Sequence, residues 1–124
     1  MIIGLGIDII EVDRVAEKIK KDNGFREKIF SFDEIRNCEA SDNSAQNYAG
    51  RFAAKEAFLK ATGEGLALTH ELHLIEVLSN ESGKPIIKLN GILEQYRRER
   101  NWTTIHVSIS HIKEAATAVV IIES

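Results

Sequence analysis

The sequence predicts an α+β fold in which an antiparallel sheet packs against one long central helix. Three observations lead there. Period-two patterning opens and closes the chain, helical spacing fills most of the first half, and the β-branched segments gather in the second half. The only proline is Pro85, and no repeat or low-complexity run interrupts the 124 residues, so a single domain over 1–124 is expected.

Met1–Ile10 alternates, with Met1, Ile3, Leu5, Ile7 and Ile9 on one side and Ile2, Gly4, Gly6, Asp8 and Ile10 on the other. That pattern predicts a strand with one wholly apolar face and one face thinned by glycine. Glycine inside a strand marks a close approach of another backbone or of a ligand, or relieves crowding under a packed helix, and Asp8 on the same face favours a ligand. Val12, Val15, Ala16 and Ile19 supply the buried stripe of a following helix, whose opposite side carries Arg14, Lys18 and Lys21. Gly24 ends it. Phe25–Phe30 is a short helical turn, and Ser31 with Glu34 forms a capping box for a helix running toward Ala40.

The longest helix is expected from Ala45 to Thr62, halted by Gly63 and Gly65, with Tyr48, Ala49, Phe52, Ala53, Ala57 and Leu59 as its buried side. Leu72–Leu78 and Pro85–Leu89 are two strands joined by Ser79–Lys84, with Gly83 at the turn. Asn90 is placed to cap a helix over Gly91–Arg100, whose arginines suit its C-terminal end. Thr103–Ser110 alternates again. After a turn at His111–Glu114, Ala116–Ile122 is a β-branched strand suited to burial on both faces.

Composition narrows the function. Against 19 acidic residues stand 16 Lys and Arg, a net charge of −3, so the chain lacks the broad basic surface of a nucleic-acid binder. A single cysteine excludes an intramolecular disulfide framework and a cysteine-based zinc site, and fits a cytoplasmic protein. No targeting pattern is expected in the apolar opening, which carries Asp8, and no stretch approaches the roughly 20 apolar residues that cross a bilayer.

Three features point to chemistry. Asp8 is a carboxylate near the end of an apolar strand, suited to a ligand or to capping the next helix. In Arg51-Phe-Ala-Ala-Lys-Glu-Ala-Phe-Leu-Lys60, helical spacing puts Phe52, Glu56, Leu59 and Lys60 on one side. A Glu–Lys pair at i, i+4 is commonly a surface ion pair, whereas one sharing a stripe with Phe and Leu asks for a partner such as a metal ion. The third is Ser108-Ile109-Ser110-His111, a strand end able to contact a phosphorylated ligand. The stripe Arg14, Lys18, Lys21 is either a solvated face or a docking surface for an acidic helix.

Together, Gly4-Leu5-Gly6-Ile7-Asp8-Ile9, Arg51-Phe52-Ala53-Ala54-Lys55-Glu56-Ala57, Ile75-Glu76-Val77, Gly83-Lys84-Pro85 and His106-Val107-Ser108-Ile109-Ser110-His111 resemble the short bacterial type of 4′-phosphopantetheinyl transferase. The resemblance covers essentially the whole chain. It implies that fold, and transfer of the phosphopantetheine arm of coenzyme A to a serine of apo acyl carrier protein in fatty acid biosynthesis. It further implies Mg²⁺ held by Asp8 and Glu56, with Lys60 as a cation for the pyrophosphate. Glu56, or a metal-bound hydroxide near it, is the candidate base. Arg51, Gly83, Lys84, Pro85, Ser110 and His111 are implied as contacts for the co-substrate coenzyme A, on its nucleotide side. Arg14, Lys18, Lys21 and Arg26 are implied as the docking surface for the acidic carrier protein, and a homotrimer with sites shared between copies is the implied assembly. On residue types alone, a metal-dependent phosphohydrolase and a non-enzymatic acidic-helix-binding module remain as alternatives.

Overall fold

Helix α4 (Ser44–Thr62) is the axis on which the rest of the computed structural model is built, and all of residues 1–124 are described. Before it come β1 (Ile2–Glu11), α1 (Val12–Lys20), α2 (Phe25–Ile29) and α3 (Phe32–Glu39). After it come α5 (Gly65–Leu68), a 3₁₀ segment (Thr69–Leu74), β2 (Ile75–Ser79), β3 (Pro85–Leu89), α6 (Ile92–Glu99), β4 (Thr104–His111) and β5 (Ala115–Glu123). The α+β class is as expected. The strands form two antiparallel sheets rather than one, β1-β5-β4 and the hairpin β2-β3.

The glycine face of β1 lies directly on α4. A Cβ at Gly4 would stand 2.0 Å from the Ala61 carbonyl oxygen, and one at Gly6 would stand 1.9 Å from that of Ala57. It is therefore the helix backbone, and not a ligand, that these two glycines admit. Small residues meet small residues here: Gly4, Gly6 and Asp8 register with Ile122, Val120 and Ala118 of β5, and Ala53, Ala57 and Ala61 face them from α4. Phe58 and Trp102 continue this core with an edge-to-face contact at 5.8 Å. A second cluster, Val12, Val15, Phe30, Cys38, Tyr48, Ala49 and Ala116, fastens α1 to α3 onto the first half of α4.

The opposite face of β1 is left open. Ile3, Leu5, Ile7 and Ile9 are 46%, 65%, 64% and 72% exposed, a continuous apolar surface flanked by Thr117, Val119 and Ile121 of β5. Within one chain β5 is thus fully buried on only one side. Two further expectations are corrected. Leu72–Leu74 belong to the 3₁₀ segment and the strand begins at Ile75, because the buried Lys55 ammonium draws in the carbonyls of Leu72 and Ile75. Asn90 does not cap α6, since its side-chain amide donates to Glu76 and Gly91 stands at the helix start. The capping box of Ser31 and Glu34 is present at α3.

Candidate active site

Asp8 and Glu56 come together. Close packing of β1 on α4 brings the strand's carboxylate beside the helix, and both acids line one cleft of about 470 Å³ with Arg14, Val15, Lys18 and Phe52. Lys60, one turn beyond Glu56, donates to Asp8 Oδ1 at 3.2 Å and to the Ile7 carbonyl at 3.0 Å. It is Asp8, then, that takes this ammonium, and the i, i+4 pair with Glu56 does not form. Burial pushes the Glu56 carboxyl above its usual range and the charge of Asp8 adds to the push, while Lys60 and Lys18 pull the other way.

Asp8 and Glu56 meet in this cleft, with Glu11 also in its lining, and no group of three His, Cys, Asp or Glu side chains suited to a metal occurs in the chain. Such an open pair fits a small hard cation that takes one or two carboxylates and completes its shell with water and phosphate oxygens. It does not fit a closed four-ligand cage.

The basic stripe runs into the same cleft. Arg14 and Lys18 on α1 and Lys21 just past its end are all exposed, and Arg14 and Lys18 form part of the cleft wall. Lys18 also lies 5.5 Å above the ring of Phe25, which stacks on Phe52. Arg26 is different, because it pairs with Glu27 at 2.9 Å and Glu39 at 3.3 Å and its charge is largely balanced within the chain.

A second cleft, about 250 Å³, opens elsewhere on α4 and gathers Arg51, Gly83, Pro85 and His111 with Gln46, Asn47 and Ile109. Arg51 and Glu56 are separated by about 140° around the helix at 3.6 residues per turn, so one protomer presents the two groups in different directions. His111 shares the parity of Ile109 and lines this cleft, whereas Ser110 points to the other face of β4. Lys84 is exposed on the hairpin turn, its main-chain N–H donating to Asn80 Oδ1 at 3.0 Å. Neither Ser110 nor Lys84 lines the cleft of its own chain.

Residue spacing did not single out a third group. Lys55 and Glu34 form a fully buried ion pair at 2.7 Å, and Glu76 accepts from Ser31 Oγ and Asn90 Nδ2, both at 2.6 Å. Burial lowers the Lys55 ammonium and Glu34 opposes the shift. At Glu76 burial acts upward, but the Ser31 and Asn90 hydrogen bonds outweigh it and hold the carboxyl below its usual range. One signal was legible: Lys55 sits in an apolar stripe, with Tyr48, Phe52, Phe58 and Leu59 at i−7, i−3, i+3 and i+4.

An acid pair beside a lysine, with a basic helix at its rim, is the arrangement expected from the motif comparison above. A sequence profile of the 4′-phosphopantetheinyl transferase superfamily matches residues 4–120. The chain belongs to this superfamily. Among its 4′-phosphopantetheinyl transferase relatives, the holo-acyl-carrier-protein synthase of Treponema denticola is 45% identical over 124 residues, covering 99% of each chain. The crystal structure of the Neisseria meningitidis holo-acyl-carrier-protein synthase superposes with a TM-score of 0.92 at 29% identity, covering 100% of both chains. That of the Bacillus anthracis synthase, in complex with coenzyme A (3′,5′-ADP), gives 0.82 at 37% identity, covering 100% of this chain and 98% of the other. The 4′-phosphopantetheinyl transferase fold therefore extends over both clefts and the sheet that separates them.

Proposed function

We propose that this chain transfers the 4′-phosphopantetheine arm of coenzyme A to a serine hydroxyl of apo acyl carrier protein, in support of fatty acid biosynthesis. Adenosine 3′,5′-bisphosphate is the by-product. The observation that carries the reading is the convergence of Asp8 and Glu56 in one cleft at the foot of an exposed cationic helix, with Lys60 donating to Asp8, in a member of this superfamily. Family membership also sets aside the phosphohydrolase and the non-enzymatic binding module.

In the reaction the serine Oγ attacks the phosphorus on the pantetheine side of the pyrophosphate. The bond from that phosphorus to the bridging oxygen breaks, and its electron pair leaves with the bisphosphate. The serine proton goes to Glu56, the carboxylate that lines the cleft beside Asp8. Lys60, held beside Asp8, offsets charge that gathers on the departing phosphate. Asp8 and Glu56 are the residues to hold Mg²⁺, which supplies screening of the pyrophosphate oxygens when bound. A carboxylate has two oxygens, so holding a cation leaves Glu56 a second one to receive the proton.

Arg51, Gly83, Lys84, Pro85, Ser110 and His111 take the nucleotide side of coenzyme A, the Gly-Lys-Pro and Ser-His segments coming from the copy that neighbours the carboxylates. Arg14, Lys18 and Lys21 steer the acidic carrier protein, and Arg26 adds less because its charge is already paired. Two observations support a homotrimer with shared sites. The apolar face of β1 lacks a cover within the chain, and the carboxylate and nucleotide clefts look away from each other around α4. A neighbour seated on that face brings its nucleotide cleft to the carboxylates of the first copy. No helix is long and apolar enough to cross a membrane.

Incubation with apo carrier protein, coenzyme A and Mg²⁺ tests the reading by intact mass. The carrier protein gains one phosphopantetheine arm, the gain disappears with a chelator, and bisphosphate appears only when apo carrier protein is present. Bisphosphate released without carrier protein would indicate hydrolysis instead.

A further inference from the structure

A buried ion pair stands between the two clefts and lines neither. Glu34 and Lys55 are both inaccessible to solvent. The three ammonium protons of Lys55 are matched by three acceptors, Glu34 Oε1 and the carbonyls of Leu72 and Ile75. Glu34 is just as fully used. Its Oε1 also accepts the Ser31 N–H at 3.0 Å, its Oε2 accepts the Val77 N–H at 3.0 Å, and its carbonyl accepts Arg51 Nη1 at 2.9 Å. One residue thus ties α3 to α4 at two points and to β2 at a third.

Removing two charges from water costs roughly what their attraction returns, so such a pair is poorly explained by stability alone. Its geometric consequence is specific. Arg51 lies one turn before Lys55, and β2 leads into the hairpin that carries Gly83 and Pro85, so the pair sets the two walls of the nucleotide cleft against each other. Both hydrogen bonds of Arg51 within the chain leave from Nη1, to the Glu34 carbonyl and to Cys38 Sγ at 3.0 Å. The Nε and Nη2 edge remains, and that edge is the one that grips a phosphate with two parallel bonds.

We propose that Glu34 and Lys55 are positioning residues for coenzyme A: without touching it, they hold the free edge of Arg51 in the position, facing the β2–β3 hairpin, that grips a nucleotide phosphate. This rests on the assignment of the Arg51 cleft to the nucleotide.

The test is a mutant cycle on the assembled protein, with adenosine 3′,5′-bisphosphate as the titrant and thermal unfolding as the check of fold. Wild type is compared with Arg51→Ala, with Glu34→Gln/Lys55→Met, and with the triple combination. Replacing both partners avoids stranding a single buried charge. Arg51→Ala and the double replacement each raise Kd about tenfold, and the triple variant is no weaker than Arg51→Ala, because the pair acts through the arginine. With saturating coenzyme A, kcat of the double variant stays within a factor of about two of wild type. Glu34→Asp keeps the charges balanced while drawing the carboxylate back by one methylene, and it raises Kd in the same direction even if the double replacement fails to fold. Additive costs in the triple variant, or wild-type affinity in folded Glu34→Asp, overturn the proposal. Wild-type affinity in Arg51→Ala overturns the nucleotide assignment, and the positioning role with it.

Discussion

Replacing Gly6 with alanine puts a methyl group where α4 already is. The new Cβ would lie 1.9 Å from the Ala57 carbonyl oxygen and 2.7 Å from the Ala61 amide nitrogen. Both are main-chain atoms of a buried helix, so neither can step aside as a side-chain tip would. Restoring ordinary contact requires the strand to retreat by about 1.5 Å. Overpacking of this kind costs about 3 kcal/mol or more, which lowers the unfolding midpoint by about 10 °C in a domain of this size. The functional cost is separate. Asp8 is two residues further along β1, whereas Glu56 and Lys60 ride on α4, so the same retreat draws the strand's carboxylate away from its partners. A displacement near 1 Å in a reacting constellation costs about 100-fold. The assay is phosphopantetheine transfer measured well below the variant's own midpoint, with circular dichroism confirming that the protein is folded. A Gly6→Ala protein with wild-type midpoint and wild-type turnover would refute both the close packing and its coupling to the site.

Asp8→Asn and Glu56→Gln each lower turnover at least about 100-fold, read as the initial rate of holo carrier protein formation, because each removes a charge the transition state relies on. Glu56→Gln also changes stability, with a sign set by its raised pKa. The folded form favours the protonated acid, so its contribution is fully present below the ordinary carboxylate range and is lost as pH rises through the raised value. Without divalent cations, Glu56→Gln therefore unfolds at a higher temperature than wild type at neutral pH, and the difference closes below about pH 4 in a thermal melt series. Arg14→Ala raises KM for carrier protein, most clearly at low salt where screening is weakest, and leaves coenzyme A affinity unchanged; steady-state kinetics across a salt series decide it. Leu5→Glu puts a charge at the centre of the open apolar face, so light scattering detects smaller species and activity falls with the loss of assembly.

Much of the carboxylate site could be read before any coordinates, for a local reason. Helical spacing places Glu56 and Lys60 one turn apart beside Phe52, and strand alternation places Asp8 with Gly4 and Gly6, whatever the rest of the chain does. The capping box at α3 is local in the same way. The expectation of a ligand against the two glycines failed because alternation says which residues share a face and not what covers it. A helix backbone and a ligand make the same demand on a strand.

What the chain's own order of residues determined, then, is the class of fold, the long helix with its acid and lysine, and the cationic face of α1. Tertiary structure alone decided that β1 lays its glycines on α4 and turns its isoleucines outward, and that Lys60 pairs with Asp8. It also decided that Lys55 finds Glu34 in the interior. Each of these joins segments distant in sequence. Their pairing is chosen by which surfaces fit and which buried charges are answered, and no periodicity within a single segment carries that information.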